Sequence, residues 1–130
     1  MLQVMEKIEL KETFETPYVL FDPQNSVFEI EGRSIPEDPR TFYNKLYDFL
    51  DQYKPPASKE VIFRFYLYYY NSSSAKHIFK LLNKLNELYK AGNKIKVTWE
   101  YESGDEDSYD EGFDFKNALE LPFELKEVSE

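Results

Sequence analysis

Three consecutive serines and a single histidine lie together in the segment NSSSAKH, residues 71–77. A serine hydroxyl can act as a nucleophile, and on a helix His77 lies within reach of Ser73 four residues earlier. A hydrolase also needs an oriented base and an oxyanion site, and the sequence supplies neither at a recognisable spacing. We therefore predict a partly exposed helical histidine without a catalytic role, in a protein that is not an enzyme.

The second group of reactive side chains is the acidic segment 100–114, EYESGDEDSYDEGFD. A calcium-binding EF-hand loop needs oxygen ligands at positions 1, 3 and 5 and a glycine at position 6. A loop that starts at Asp105 places Tyr109 at position 5 and Asp110 at position 6, so the motif fails. The segment is predicted to be a solvated loop or an acidic docking surface. A small-ligand or divalent-cation site that uses Asp105, Asp107 and Asp110 remains the alternative.

Composition excludes several other kinds of site. The chain has no cysteine, so it has no thiol nucleophile, disulfide or cysteine-ligated zinc, and its four glycines are too scattered for a phosphate-binding loop. No cofactor is predicted. The net charge of −9 disfavours binding to nucleic acids and to anionic membranes. Without a membrane-length apolar stretch or a secretory signal, we expect a cytoplasmic monomer or homodimer.

Hydrophobic patterning predicts the elements that position these residues. Residues 17–21 and 26–31 are two strands of a hairpin joined by the turn DPQN. Apolar residues on one face of 40–54 predict a helix that Asp38 caps and that Pro55 ends. The nearly unbroken aromatic run 60–70 predicts a central strand covered on both faces.

The second half of the chain continues the alternation of strands and helices. It contains a predicted helix at 72–91, a strand at 94–102, an acidic stretch at 103–120 with a helix toward its end, and a strand at 121–128. A strand, helix and strand in this order imply a right-handed crossover with parallel pairing. We predict one domain, residues 1–130 with a core at about 14–128. It is an α/β sandwich with a mixed sheet, helices mostly on one face, and the order β-β-α-β-α-β-α-β.

The junction between the aromatic strand and the long helix is also a candidate modification site. A cap accounts for one residue, Asn71 or Ser72, and leaves the other hydroxyls without a role. The unpaired N–H groups of a helix N-terminus favour an anion, and Lys76 follows one turn later. A phosphate on Ser72 would be well placed there.

Four segments resemble, in this order, the SiaC family of bacterial regulatory phosphoproteins over about residues 14–128. The segments are FDP…FEIEGRSIPEDPRTFY, YYYNSSSAKHIFKLLNKL, VTWEYESGDEDSYDEGFDF and LPFEL. The resemblance implies a fold of the STAS type, as in anti-sigma-factor antagonists. It also implies a non-catalytic protein that binds and regulates a partner and is switched by reversible phosphorylation.

The resemblance further implies partners and site residues. A Ser/Thr kinase related to histidine kinases adds the phosphate, and a PP2C-type phosphatase removes it. The unphosphorylated form binds an effector such as a diguanylate cyclase, which makes cyclic di-GMP. The acceptor position falls on Ser72, with Ser73 as the alternative. We expect partner contacts at the surrounding residues Tyr70, Asn71, Ser73, Ser74 and Lys76.

Overall fold

A computed structural model describes residues 5–129 as a six-stranded mixed sheet with three helices. The elements are β1 Ile8–Leu10, β2 Tyr18–Asp22, β3 Val27–Ser34, α1 Pro39–Gln52, β4 Val61–Tyr70, α2 Ser72–Lys90, β5 Ile95–Glu102, α3 Glu106–Ala118 and β6 Phe123–Val128. The predicted fold class is confirmed, with the eight predicted elements in the predicted order. A short additional strand, β1, precedes them and pairs with β2.

The strands are arranged in the sheet in chain order. The β1–β2 and β2–β3 pairs are antiparallel, whereas β3, β4, β5 and β6 run parallel and are connected by the three helices. The predicted parallel pairing of β4 with β5 is therefore confirmed. Because parallel strands end on the same side of a sheet, Ser34, Tyr70 and Glu102 finish at a common edge. The segments that follow these strands meet there.

The helices cover only one face of the sheet. Ring contacts join Phe49 of α1 to Phe21, and Phe115 of α3 to Trp99, while α2 buries a stripe of aliphatic side chains. Among residues 5–129, no helix has both the length and the apolar character that crossing a membrane requires.

The prediction that β4 is covered on both faces is wrong. Its helix-side residues are buried, but Ile62 and Tyr68 on the opposite side are 44% and 49% exposed. The run of aromatic residues gave no sign of this, because tyrosine can pack with its ring and still leave its hydroxyl in water. Arg64 occupies the centre of this open face, where it donates to Glu29, Glu31 and Glu100 at 2.8–3.0 Å.

Arg64→Ala is expected to lower the free energy of unfolding by about 2 kcal/mol, because three carboxylates on β3 and β5 lose their shared cation. The measurement is urea denaturation at neutral pH. Lys96→Ala is the matched control: its ion pair with Glu124 is more exposed, and its loss should cost less than about 1 kcal/mol. Equal costs for the two variants would contradict a central role for Arg64.

Trp99 is the side chain on which α3 packs. It is 1% exposed, and its indole Nε1 donates to the Ser108 carbonyl oxygen at 3.1 Å. One turn later, Gly112 lies directly against the ring: a Cβ atom at this glycine would be 2.5 Å from Trp99 Cδ1. The helix backbone can approach the sheet this closely only because position 112 has no side chain.

Gly112→Ala should destabilise the fold by about 1–3 kcal/mol, although alanine favours helices more than glycine does. The added methyl group would push α3 away from Trp99 and Leu125. Thermal or chemical denaturation measures the change. Asn117→Ala, at an exposed position of the same helix, is the control and should be nearly neutral. A neutral Gly112→Ala variant would contradict the tight contact.

Candidate functional site

The junction between β4 and α2 consists of a single residue, Asn71. Its side-chain oxygen accepts from the Ser74 backbone N–H at 2.9 Å, which makes Asn71 the N-cap of α2. Ser72 and Ser73 are therefore the first two residues of the helix, and both are exposed. The hydroxyl of Ser72 is not needed to cap the helix.

Ser74 has a different environment from its two neighbours. It is fully buried, and its Oγ accepts a hydrogen bond of 2.9 Å from Ser34 at the end of β3. Ser34 Oγ is also 2.6 Å from the hydroxyl of Tyr43 on α1, whose pKa is raised to about 12 by burial. The prediction that Ser74 contacts a partner is therefore wrong: its side chain instead anchors the start of α2 to β3 and α1.

Ser74→Ala should lower the free energy of unfolding by about 1–2 kcal/mol, because it leaves the buried Ser34 hydroxyl without one of its partners. Chemical denaturation measures the loss. Ser73→Ala is the matched control on the exposed side and should change stability by less than about 0.5 kcal/mol. The anchoring role would be contradicted by a Ser74→Ala variant as stable as the Ser73→Ala variant.

His77 is held by α1 and does not pair with a serine. Its Nδ1 is 2.6 Å from the Tyr47 hydroxyl, and its ring stacks on Tyr43 with centroids 5.1 Å apart. Desolvation by burial lowers its pKa, and the nearby charges of Lys80 and Arg40 lower it further. No hydrogen bond joins His77 to Ser73 within residues 5–129, so the geometry gives the hydrolase hypothesis no support.

The acidic segment starts a helix earlier than predicted. Asp105 Oδ1 accepts from the Ser108 backbone N–H at 3.1 Å and caps α3, and Glu106 and Asp107 lie in the first turn. Negative charges are favourable at this end of a helix. Across residues 5–129, no three His, Cys, Asp or Glu side chains form a group that could hold a metal ion. The alternative cation site at Asp105, Asp107 and Asp110 therefore has no geometric basis.

A cavity of about 260 Å³ separates the end of β4 from the start of α3. It is lined by Leu67, Tyr68, Tyr69 and Tyr70 of β4 and by Asp105, Asp107, Ser108 and Glu111 of the α3 region. We refer to it as the tyrosine–carboxylate cavity. It brings Tyr70, a predicted partner contact, next to Asp105 and Asp107 of the acidic segment, which are more than 30 residues away in the sequence.

A bulge in β4 explains why the neighbouring residues Tyr68 and Tyr69 are both exposed beside the cavity. Gly32 pairs with Leu67 and Arg33 pairs with Tyr69, so Tyr68 is an extra residue in the strand. As a result, Tyr68 and Tyr69 are 49% and 59% exposed, although successive strand residues normally point to opposite faces.

The acidic residues of the cavity affect the Tyr70 hydroxyl. Burial raises the pKa of Tyr70, and the negative charges of Glu111, Asp105 and Asp107 raise it further. The pKa of Glu111 is itself raised, chiefly by burial and then by Asp114. Sequence reasoning missed Tyr68 and Tyr69, and within the acidic segment it did not single out Glu111. The available signal was that β4 and β5 are parallel, which brings the residues that follow both strands to the same edge.

Comparison with known proteins identifies relatives of the whole chain. A family model described as SiaC family regulatory phosphoprotein matches residues 10–128. An uncharacterized protein of Pseudomonas aeruginosa strain UCBPP-PA14 is 22% identical over 122 residues, which are 94% of this chain and 97% of that protein.

Solved structures show the same fold. The crystal structure of apo-SiaC from Pseudomonas aeruginosa superposes with a TM-score of 0.83 at 21% identity, covering 94% of this chain and 99% of that one. SiaC in the crystal structure of the diguanylate cyclase SiaD with its activator SiaC gives a TM-score of 0.85 at 21% identity, covering 93% and 99% of the two chains. The sheet and three helices are thus an architecture already seen in crystals.

Proposed function

Because this chain belongs to the SiaC family of regulatory phosphoproteins, we propose that it is a non-catalytic signalling protein that binds a partner and is switched by phosphorylation of Ser72. The observation that carries the proposal is the position of Ser72. It is exposed at the first residue of α2, and Asn71 caps the helix in its place. Modification of Ser72 therefore removes no hydrogen bond on which the fold depends.

The environment of Ser72 suits a phosphate. The first N–H groups of a helix have no partner within the helix, and they carry partial positive charge. A phosphoserine adds about −1.5 to −2 charges and three acceptor oxygens at this point. Lys76, exposed one turn further along α2, supplies a cation on the same face. Ser73 is exposed beside it and is the alternative acceptor.

The same phosphate would oppose partner binding. The hydroxyls of Ser72 and Ser73 and the Asn71 amide are uncharged, so a partner that forms hydrogen bonds to them can cover them at low cost. A phosphate dianion must lose its hydration shell before a partner can cover it, and a partner without a matching cation does not repay that cost. A difference of about 1.4 kcal/mol already changes affinity tenfold.

We propose a diguanylate cyclase as the effector, because the relative SiaC of Pseudomonas aeruginosa forms a complex with the cyclase SiaD as its activator. A Ser/Thr kinase and a PP2C-type phosphatase would set the modification state, and all of these proteins would act in the cytoplasm.

Two aspartate substitutions test the switch and its acceptor. Ser72→Asp should bind the host's cyclase at least about tenfold more weakly than Ser72→Ala in calorimetry. Ser73→Asp should have a smaller effect. Intact-mass analysis of protein from the native host should find a phosphate that Ser72→Ala removes and Ser73→Ala retains.

Each alternative outcome has a defined meaning. Loss of the phosphate from Ser73→Ala alone would make Ser73 the acceptor. Equal cyclase binding by both Ser72 variants, together with an unmodified native protein, would overturn the switch.

A further inference from the structure

The tyrosine–carboxylate cavity has a charge that the described chain does not neutralise. Three of its lining residues are carboxylates, and none of its lining residues is Lys, Arg or His. Within residues 5–129, no ion pair involves Asp105, Asp107 or Glu111, whereas Arg64 and Lys96 on the open sheet face have carboxylate partners. The cavity therefore presents unpaired negative charge beside exposed tyrosine rings.

Helix capping and the helix dipole explain only some of these carboxylates. Asp105 caps α3, and Asp107 lies in the first turn, where a negative charge is favourable. Glu111 is in the second turn, beyond the reach of that effect, and it is partly buried. A partly buried carboxylate without a cation is costly in a stable fold, and in a cleft it marks a candidate binding site.

Ser108 provides an independent observation in the same cavity. Its backbone groups are used, since its N–H donates to Asp105 and its carbonyl accepts from Trp99. Its side chain is buried, and its Oγ has no hydrogen-bond partner among the residues that the structure describes. Buried hydroxyls nearly always have a partner, and because Ser108 lines the cavity, the cavity wall includes one polar group that the described residues leave unsatisfied.

We propose that the tyrosine–carboxylate cavity receives an arginine side chain of the partner protein. This inference rests on the proposed function, because it identifies what the partner must carry. Tyr70 lines the cavity and is followed directly by Asn71 and Ser72, so Ser72 is only two residues from the cavity wall and a partner surface that covers it can extend over the cavity. The partner's surface is thus brought to both features at once.

Size and geometry favour arginine over other cations. The carboxylates are not grouped to hold a metal ion, which needs its ligands to converge on one point. A guanidinium group has five donors in a planar fork, so it can reach separate carboxylates and stack on a tyrosine ring. Lysine offers only a compact point charge. At about 260 Å³ the cavity is smaller than the usual 300–1,000 Å³ of a small-molecule site and suits one side chain.

The first test titrates the full chain with three probes, monitored by NMR of its amide signals. The probes are a capped tripeptide Gly-Arg-Gly, the matching Gly-Lys-Gly and free L-arginine. The arginine peptide should bind at roughly millimolar strength and shift the signals of Tyr69, Tyr70 and Ser108. The lysine peptide should bind more weakly. Absence of shifts at the cavity would overturn the proposal, and free arginine binding more tightly than the peptide would assign the cavity to a metabolite instead.

Two charge-removing variants of the same helix sharpen the test. Glu111→Gln should weaken binding of the arginine peptide and of the cyclase by about tenfold and reduce the salt dependence of cyclase binding. Asp110→Asn is the matched control, because it removes the same charge from an exposed position that does not line the cavity. Equal effects of the two variants would show a general effect of acidity and would overturn the arginine site.

The peptide titration does not involve Ser72, so it separates the two proposals. If the arginine peptide binds at the cavity but Ser72→Asp does not affect cyclase binding, the arginine site is supported and the phosphorylation switch is refuted. If Ser72→Asp weakens cyclase binding but the arginine peptide does not bind at the cavity, the switch is supported and the arginine site is refuted.

Discussion

The contact between Trp99 and the backbone of α3 is the constraint on which the candidate site depends. The indole hydrogen bond to the Ser108 carbonyl sets the rotation of the helix, and Gly112 sets its distance from the sheet. The same ring packs edge-on against Tyr70, with centroids 6.3 Å apart. One side chain of β5 therefore positions both walls of the tyrosine–carboxylate cavity. The acidic start of α3 lies beside the end of β4 because a large aromatic residue fills the space beneath both.

The start of α2 divides its tasks among adjacent residues of similar chemistry. Asn71 caps the helix, Ser74 anchors it to β3 and α1, and the two serines between them face solvent. The anchor Ser74 is buried where a partner cannot reach it, and the two exposed serines, which a partner can reach, contribute little to stability. The arrangement allows the surface to change its charge while the core beneath it stays the same.

The sequence was sufficient for most of the fold, because apolar periodicity is strong in β4, α2 and β5. It failed where structure depends on neighbours that are distant in the chain. β1 has only three residues and is held by pairing with β2, and α3 begins in an acidic run with few apolar positions. The burial of Ser74 was predictable in principle, since Ile78 lies four residues later on the buried stripe of α2. The cavity was not predictable from the sequence, because it depends on both the β4 bulge and the position of α3.

The placement of the cap and the anchor also determines how far α2 can unwind from its start. Local opening of this end of the helix would help an enzyme to carry out the proposed modification of Ser72. Releasing Ser72 and Ser73 costs the cap, about 1 kcal/mol, together with the backbone hydrogen bonds of the first turn, which include Ala75 N–H to the Asn71 carbonyl at 2.9 Å. Opening beyond them requires Ser74 to leave its buried contact with Ser34, and fraying should stop there. The helix thus has a short first turn with a fixed boundary at Ser74, and the exposed hydroxyls of Ser72 and Ser73 lie on the outer side of that boundary.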